Sequence, residues 1–253
     1  MRSNTINRII TLSQKLLFPV SFTTYFYFIQ RMPIRTLILL SVCIITSFFI
    51  LSMLITRFLK RGKIQVFNGE NLEIFVDPKC NVKNIVEKID TETIENIYKN
   101  SPFKLKIIVV DKLWNPFSVI STIVISDFLF EILDDEMLNG LILHEVGHVK
   151  NLHSLKNTAF AILLSFASHI IGKTTGTSLV TALILTVVFT NFLQKTEFDA
   201  DKLAITNEKY KNSLLRILKM FQKRTINSKL EEMISQLFST HPPTKKRIEK
   251  LMN

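Results

Sequence analysis

From Thr36 to Thr56 the chain carries no charged residue, running Leu37-Ile38-Leu39-Leu40 through Phe48-Phe49-Ile50-Leu51 to Ile55. A run of that length and apolarity can cross a bilayer as a helix, with every backbone polar group satisfied internally. The preceding segment, Leu16 to Ile29, is shorter, aromatic and interrupted by Pro19. It leaves two readings open: a tilted span extended back toward Ile9, or a hydrophobic helix lying at the interface. No small-residue cleavage site separates the two segments, which argues against a cleaved signal peptide. Arg57, Lys60, Arg61 and Lys63 follow the long run, and only Arg31 and Arg35 lie between the segments. The positive-inside rule then favours a hairpin with the amino terminus and the following domain in the cytoplasm, the alternative being a solvated linker with no topological meaning. A chain of 253 residues that is 47% hydrophobic, with 20 phenylalanines and a mean hydropathy of +0.25, is apolar for a soluble enzyme and fits one globular domain plus membrane segments.

The net charge of +11 comes without a DNA- or RNA-binding motif, so the excess reads as charge beside anionic lipid, with no nucleic-acid partner. Cys43 and Cys80 provide neither a disulfide framework nor a cysteine-based metal site, in agreement with a reducing compartment for the soluble part.

The chemistry is concentrated in Leu143-His144-Glu145-Val146-Gly147-His148. The pattern predicts a helix from about Asp134 to Asn151, capped by Asp134 or Asp135, with Leu138, Leu141, Ile142 and Val149 as its apolar face. Helical positions four apart share a face, so His144 and His148 present two imidazoles to one ion. That pair suits zinc, and the adjacent Glu145 is placed to take a proton from the attacking water; the match predicts a metallopeptidase. A third ligand is required. Glu197-Phe198-Asp199-Ala200-Asp201, after a long apolar stretch and at the start of a further helical pattern, supplies it: Glu197 as ligand, and Asp201 as acceptor for the second ring N–H of one histidine. The competing reading is a solvated acidic helix start.

Around these motifs, Ile64–Phe67 and Leu72–Val76 bracket Asn68-Gly69 as a hairpin, Val82–Asn100 reads as an amphipathic helix, and Leu105–Val110 as a strand. Val119 to Ile125 is β-branched and predicts another strand. A strand just ahead of a zinc helix has a use in peptidases: a free edge, with Val124 at a substrate-contacting position, pairs with the extended substrate backbone. An ordinary internal strand is the equal alternative. Thr158–Gly172 and Ser178–Leu193 flank the polar break Lys173-Thr174-Thr175-Gly176-Thr177 and predict a helical hairpin. Each arm is short for a full crossing, so a hairpin buried in a soluble domain stays open. Lys150, Lys156 and Lys195 flank one end of the hairpin and Lys173 alone marks the other. His169 within it reads as a buried or interfacial histidine. Helices are also expected from Ala204 to Lys223 and from Lys229 to Phe238.

Taken together, His144-Glu145-Val146-Gly147-His148, Glu197-Phe198-Asp199-Ala200-Asp201 and Thr240-His241-Pro242-Pro243 with Arg247-Ile248 resemble the membrane zinc metalloproteases of the HtpX type, relatives of the CAAX prenyl protease. Asn115-Pro116-Phe117-Ser118 is similar to that family's Asn-Ala-Phe-Ala segment, with proline in place of alanine. The resemblance implies a mainly helical α+β fold: an amino-terminal membrane region over residues 1–60 with one or two transmembrane helices, then a zincin-like catalytic domain over 61–253 with a small sheet. An apolar hairpin at 157–193 would add two further spans between the metal motifs. It also implies one zinc per chain, Asn115 near the substrate, and His241 close enough to act in catalysis, as a donor to developing negative charge or as an occupant of the resting metal. Arg247 would anchor its segment to an acidic partner. The function implied is membrane proteolysis of membrane or misfolded proteins, in a multi-pass cell-membrane protein whose catalytic domain faces the cytoplasm. Its partners would be protein or peptide substrates and the bilayer. Two alternatives stand beside it, processing of lipidated CAAX-type peptides and a metal-free scaffold without activity.

Overall fold

The computed structural model describes residues 19–80, 85, 87–90, 93, 95, 97, 99, 104–111, 116–205, 208–222 and 241–252. Asn115, the helix expected at 229–238 and the segment ahead of residue 19 lie outside them. The described residues begin with helix α1 (19–29) and helix α2 (Ile34–Lys60), followed by strands β1 (Ile64–Asn68) and β2 (Leu72–Val76). Strands β3 (Leu105–Val110), β4 (Phe117–Val119) and β5 (Thr122–Ser126) follow. The remaining helices are α3 (Asp127–Ile132), α4 (Asp135–Lys150), α5 (His153–Thr175), α6 (Leu179–Ala204), α7 (Glu208–Gln222) and α8 (Thr244–Met252).

The expected hairpin at Asn68-Gly69 is present, closed by the Gly69 N–H donating to the Leu72 carbonyl at 2.8 Å. The connection from β2 to β3 is not one helix. Ile89-Asp90 interrupts it, and Asp90 Oδ1 accepts from the Thr93 N–H at 2.7 Å, restarting the helix as a cap. The five strands form one mixed sheet in the order β1-β2-β3-β5-β4, with β3 parallel to both β2 and β5 and antiparallel pairs at the two edges.

The run Val119–Ile125 is not a single strand. Val119 ends β4, the chain reverses at Ile120-Ser121, and Thr122 begins β5. Ile120 sits at φ +52°, a conformation that β-branched residues rarely adopt. Val124 therefore does not lie at a free edge: it is 1% exposed and faces Ile108 on one side and Phe117 on the other. The edge beside the metal-motif helix belongs to β4.

Helix α4 is the centre of the fold. Asp134 caps it, its carboxylate accepting from the Met137 N–H at 2.9 Å. Leu138, Ile142, Val146 and Val149 pack into the core formed with Ile74, Ile107, Ile123 and Ile125 of the sheet. On another side Leu143 joins Tyr210, Leu214 and Leu218 of α7 and Ile248 and Leu251 of α8. A helix that carries polar motif residues is thus enclosed almost all round.

Helices α5 and α6 form the antiparallel hairpin, turning at Gly176 (φ +85°). The expected boundary after Leu193 is absent: α6 runs without interruption from the apolar stretch through Glu197 and Asp201, because nothing from Asn191 to Thr196 is a proline or glycine. Helix α1 is tied into this hairpin by hydrogen bonds between Tyr25 and Ser165 (2.9 Å), Thr23 and Thr186 (3.0 Å), and from Ser168 Oγ to the Phe26 carbonyl (2.9 Å). At the far end the Gln30 amide pairs with both backbone groups of Ser178, so the α1–α2 turn and the α5–α6 turn meet. Among the described residues α5 and α6 are long and apolar enough to cross a membrane, and Ile34–Ile50 of α2 is a shorter apolar stretch. Their outward side chains are apolar, including Leu39, Val42, Ile50 and Met53 of α2, Leu163 and Ile170 of α5, and Val180 and Ile184 of α6. At the end of α2, Lys60 pairs with Glu73 and Lys63 with Asp77, leaving Arg57 and Arg61 as the exposed cations there.

Candidate metal centre

His144 and His148, one turn apart on α4, meet Glu197 from α6. The two Nε2 atoms are 3.3 Å apart; His144 Nε2 lies 3.8 Å from Glu197 Oε2 and His148 Nε2 lies 3.4 Å from Glu197 Oε1. These three side chains form a group able to hold a metal ion. Two imidazoles and one carboxylate are a donor set of catalytic zinc sites, and tetrahedral bonds of about 2.0–2.1 Å require donor atoms about 3.3–3.4 Å apart. The spacings of the two imidazoles and of His148 with Glu197 meet that requirement, and that of His144 with Glu197 is a few tenths of an ångström longer.

What brings α6 so close is Gly147. A Cβ built there would lie 2.5 Å from the Ala200 carbonyl oxygen and 2.9 Å from its Cα, so the helices pack backbone to backbone between the two histidines and the glutamate. Larger residues at that point would hold Glu197 out of reach.

Asp201, one turn beyond Glu197, places Oδ1 2.8 Å from His144 Nδ1, a carboxylate contact that favours the ring proton on Nδ1 and the lone pair on Nε2. The same carboxylate receives Arg247 of α8 in a two-pronged pair, Nε to Oδ2 at 2.9 Å and Nη2 to Oδ1 at 2.6 Å. Arg247 is largely buried, with Asp201 as its close acidic partner and Glu197 Oε2 3.8 Å from its Nη1. His241 comes to the rim, mostly exposed, with Nδ1 3.0 Å from Glu197 Oε2.

Glu145 is buried beside these three donors and is not one of them. Burial, reinforced by the charge of Glu197, pushes its carboxyl above the usual range, while the Ser118 hydroxyl on β4 bonds to it. Burial and the neighbouring His144 push His148 down to about 3, so its ring is neutral at working pH. Sequence reasoning quoted Ser118 within the Asn115-Pro116-Phe117-Ser118 segment without giving it a role, and it missed His153, whose Nδ1 lies 3.0 Å from Nδ1 of His148. Five residues after His148, His153 shares no helical face with it, so spacing gave no signal.

Residues 81–253 match the sequence model of Peptidase family M48. Among solved structures, the fold is similar to that in the crystal structure of Ste24p from S. mikatae, with a TM-score of 0.57 and 16% identity over 98% of this chain. The chain spans 65% of the length of that protein, and at this identity the likeness is one of fold. No curated protein sequence matches the chain.

Proposed function

The chain belongs to peptidase family M48, and from that premise we propose that it is an integral membrane endopeptidase that uses one zinc ion held by His144, His148 and Glu197. The observation that carries the reading is the convergence of these three donors beside a buried, non-ligating glutamate. Zinc, when bound, would polarise the scissile carbonyl and make a water molecule acidic enough to attack it. Glu145 takes the proton from that water on its carboxylate, where its raised affinity for a proton suits the task, and delivers it to the departing amine. Asp201 and Arg247 hold His144 in the tautomer that offers Nε2. His241 stands at the mouth with Nδ1 3.0 Å from Glu197 Oε2, close enough to the donors to act where negative charge develops. The free edge of β4, with Ser118 next to Glu145, takes the substrate backbone in place of the internal Val124 strand.

The proposed substrates are membrane or misfolded proteins. A second reading, processing of lipidated peptides, is favoured by an apolar cavity of about 450 Å³ between α1, α2, α5 and α6, walled by Phe22, Tyr25, Ile44, Ala161 and Phe189. Detergent-purified protein is expected to hold one zinc per chain and to cleave casein, to lose both with a zinc chelator and to regain both when zinc is restored. Cleavage confined to prenylated peptides would move the assignment to the second reading, and purified protein without metal would end both.

The proposed topology has four crossings, with 1–60 as the amino-terminal membrane region and the 157–193 hairpin inserted in the catalytic domain. Its support is the meeting of the two turns at Gln30 and Ser178, as expected of turns that share one membrane face, together with the exposed Arg57 and Arg61 at the end of α2. Single cysteines at Arg31 and Lys173 are expected to react with an impermeant thiol reagent from outside the cell, and one at Lys63 only after lysis. Labelling of the Lys173 position from the cytoplasmic side alone would refute this arrangement.

A further inference from the structure

His148 stands between two other histidines. Its Nε2 faces His144 and Glu197, so that atom is turned to the metal, while its Nδ1 lies 3.0 Å from Nδ1 of His153, the two rings at 79° with centroids 4.9 Å apart. A neutral imidazole has one N–H and one lone pair, and a metal takes the lone pair. With Nε2 given to the metal, the His148 proton sits on Nδ1, and Nδ1 of His153 is the acceptor facing it. We propose that His153 is a positioning residue of the metal centre: it accepts the His148 Nδ1–H and so fixes the tautomer and ring plane that offer Nε2 to the ion. The inference rests on the metallopeptidase reading above.

The backbone is bent to make this contact. In an uninterrupted helix, residues five apart point about 140° away from each other. Here α4 stops at Lys150, Leu152 adopts the left-handed conformation at φ 54°, ψ 38°, and α5 starts at His153 itself. The reversal is closed by the Asn151 side chain donating to the Gly147 carbonyl at 3.0 Å and the Leu152 N–H donating to the Val149 carbonyl at 3.0 Å. A leucine in that conformation costs about 1–2 kcal/mol, and such strain persists where surrounding contacts over-determine it. His153 is 3% exposed, so water does not replace it as the partner of His148. The two ligands are thereby served unequally: His144 faces a carboxylate and His148 a neutral ring, which makes His148 the less basic donor.

The test is zinc affinity by chelator competition on the full-length protein in detergent, for wild type, His153→Leu, His153→Gln and His153→Asn, with the melting temperature of each metal-free protein recorded alongside. Asparagine sets its Oδ1 where histidine has Nδ1, whereas glutamine carries its polar atoms one bond further out. His153→Leu and His153→Gln are expected to bind zinc about 10–100-fold more weakly, and His153→Asn to recover most of the loss, with the metal-free Leu and Asn variants melting alike. An unchanged affinity in His153→Leu would overturn the proposal, and so would an Asn variant as weak as the Leu variant. Wild type that takes up no zinc would remove the metal reading and this inference together, a result distinct from normal zinc binding that is indifferent to His153.

Discussion

Glu145→Gln is expected to keep the full complement of zinc and to lose about 10²–10⁴-fold in kcat, equivalent to roughly 3–5 kcal/mol of transition-state stabilisation. The substitution preserves size and the ability to bond to the Ser118 hydroxyl, and it touches none of His144, His148 and Glu197. It removes only the capacity to accept a proton. Stability should move the other way. Because the folded-state pKa of Glu145 is raised by burial, the folded protein binds that proton more tightly than the unfolded chain does, and the ionised carboxylate costs stability at pH values above its unfolded pKa. In the metal-free protein at neutral pH the variant is therefore expected to melt no lower than wild type. Zinc analysis, initial rates on casein and a thermal melt check the three parts separately. Retention of more than a tenth of the wild-type rate would show that another group takes the proton.

Gly147→Ala is the second large effect, and it acts through the ligand spacing rather than the chemistry. A methyl group 2.5 Å from the Ala200 carbonyl oxygen cannot be accommodated by rotating a side chain, since the obstacle is backbone. Helices α4 and α6 must separate by the better part of an ångström. Overpacking of this kind costs about 1–3 kcal/mol in stability. The separation also withdraws Glu197 from two histidines that are only 3.3 Å apart, and a displacement near 1 Å at a catalytic centre costs about 100-fold in rate. Weaker zinc binding, a lower melting temperature and lower activity should appear together. Gly140→Ala on the same helix is the control: its added carbon would meet Ser213 Cβ and the Tyr210 carbonyl at 3.4 Å, ordinary contacts, and its zinc affinity should match wild type. Wild-type zinc affinity in Gly147→Ala would show that the helix separation does not set the site.

The parts of this fold that could be read in advance are those set by local periodicity and capping. Asp134 announces α4, the four-residue spacings of His144 with His148 and of Glu197 with Asp201 put each pair on one face, and Asn68-Gly69 marks the first hairpin. What escaped depends on tertiary pairing. Nothing in the β-branched run from Val119 to Ile125 signals a reversal, because Ile120 takes a conformation that its own side chain disfavours. Which strand edge is free was equally hidden: β5 has the composition of a strand at either place, and its neighbours β3 and β4 settle it. The contact of His153 with His148 and the pairing of Arg247 with Asp201 need, respectively, a left-handed leucine and a helix more than forty residues further along the chain, neither of which any spacing rule anticipates.

Helix α6 carries one further implication. From Leu179 to Ala204 it is a single rod of about 39 Å, with its apolar part at one end and Glu197 near the other, while His144 and His148 are seated on α4 against the sheet. On the proposed topology the third ligand is thus mounted on a lever whose inclination the lipid governs, and the first two on a fixed block. Helices answer a mismatch in hydrocarbon thickness by changing tilt, at a fraction of a kcal/mol per ångström. Any such tilt meets the backbone contact of α6 with α4 at Gly147 and Ala200, within a turn of the carboxylate, so that contact is what shields the grip on the ion from the thickness of the surrounding membrane.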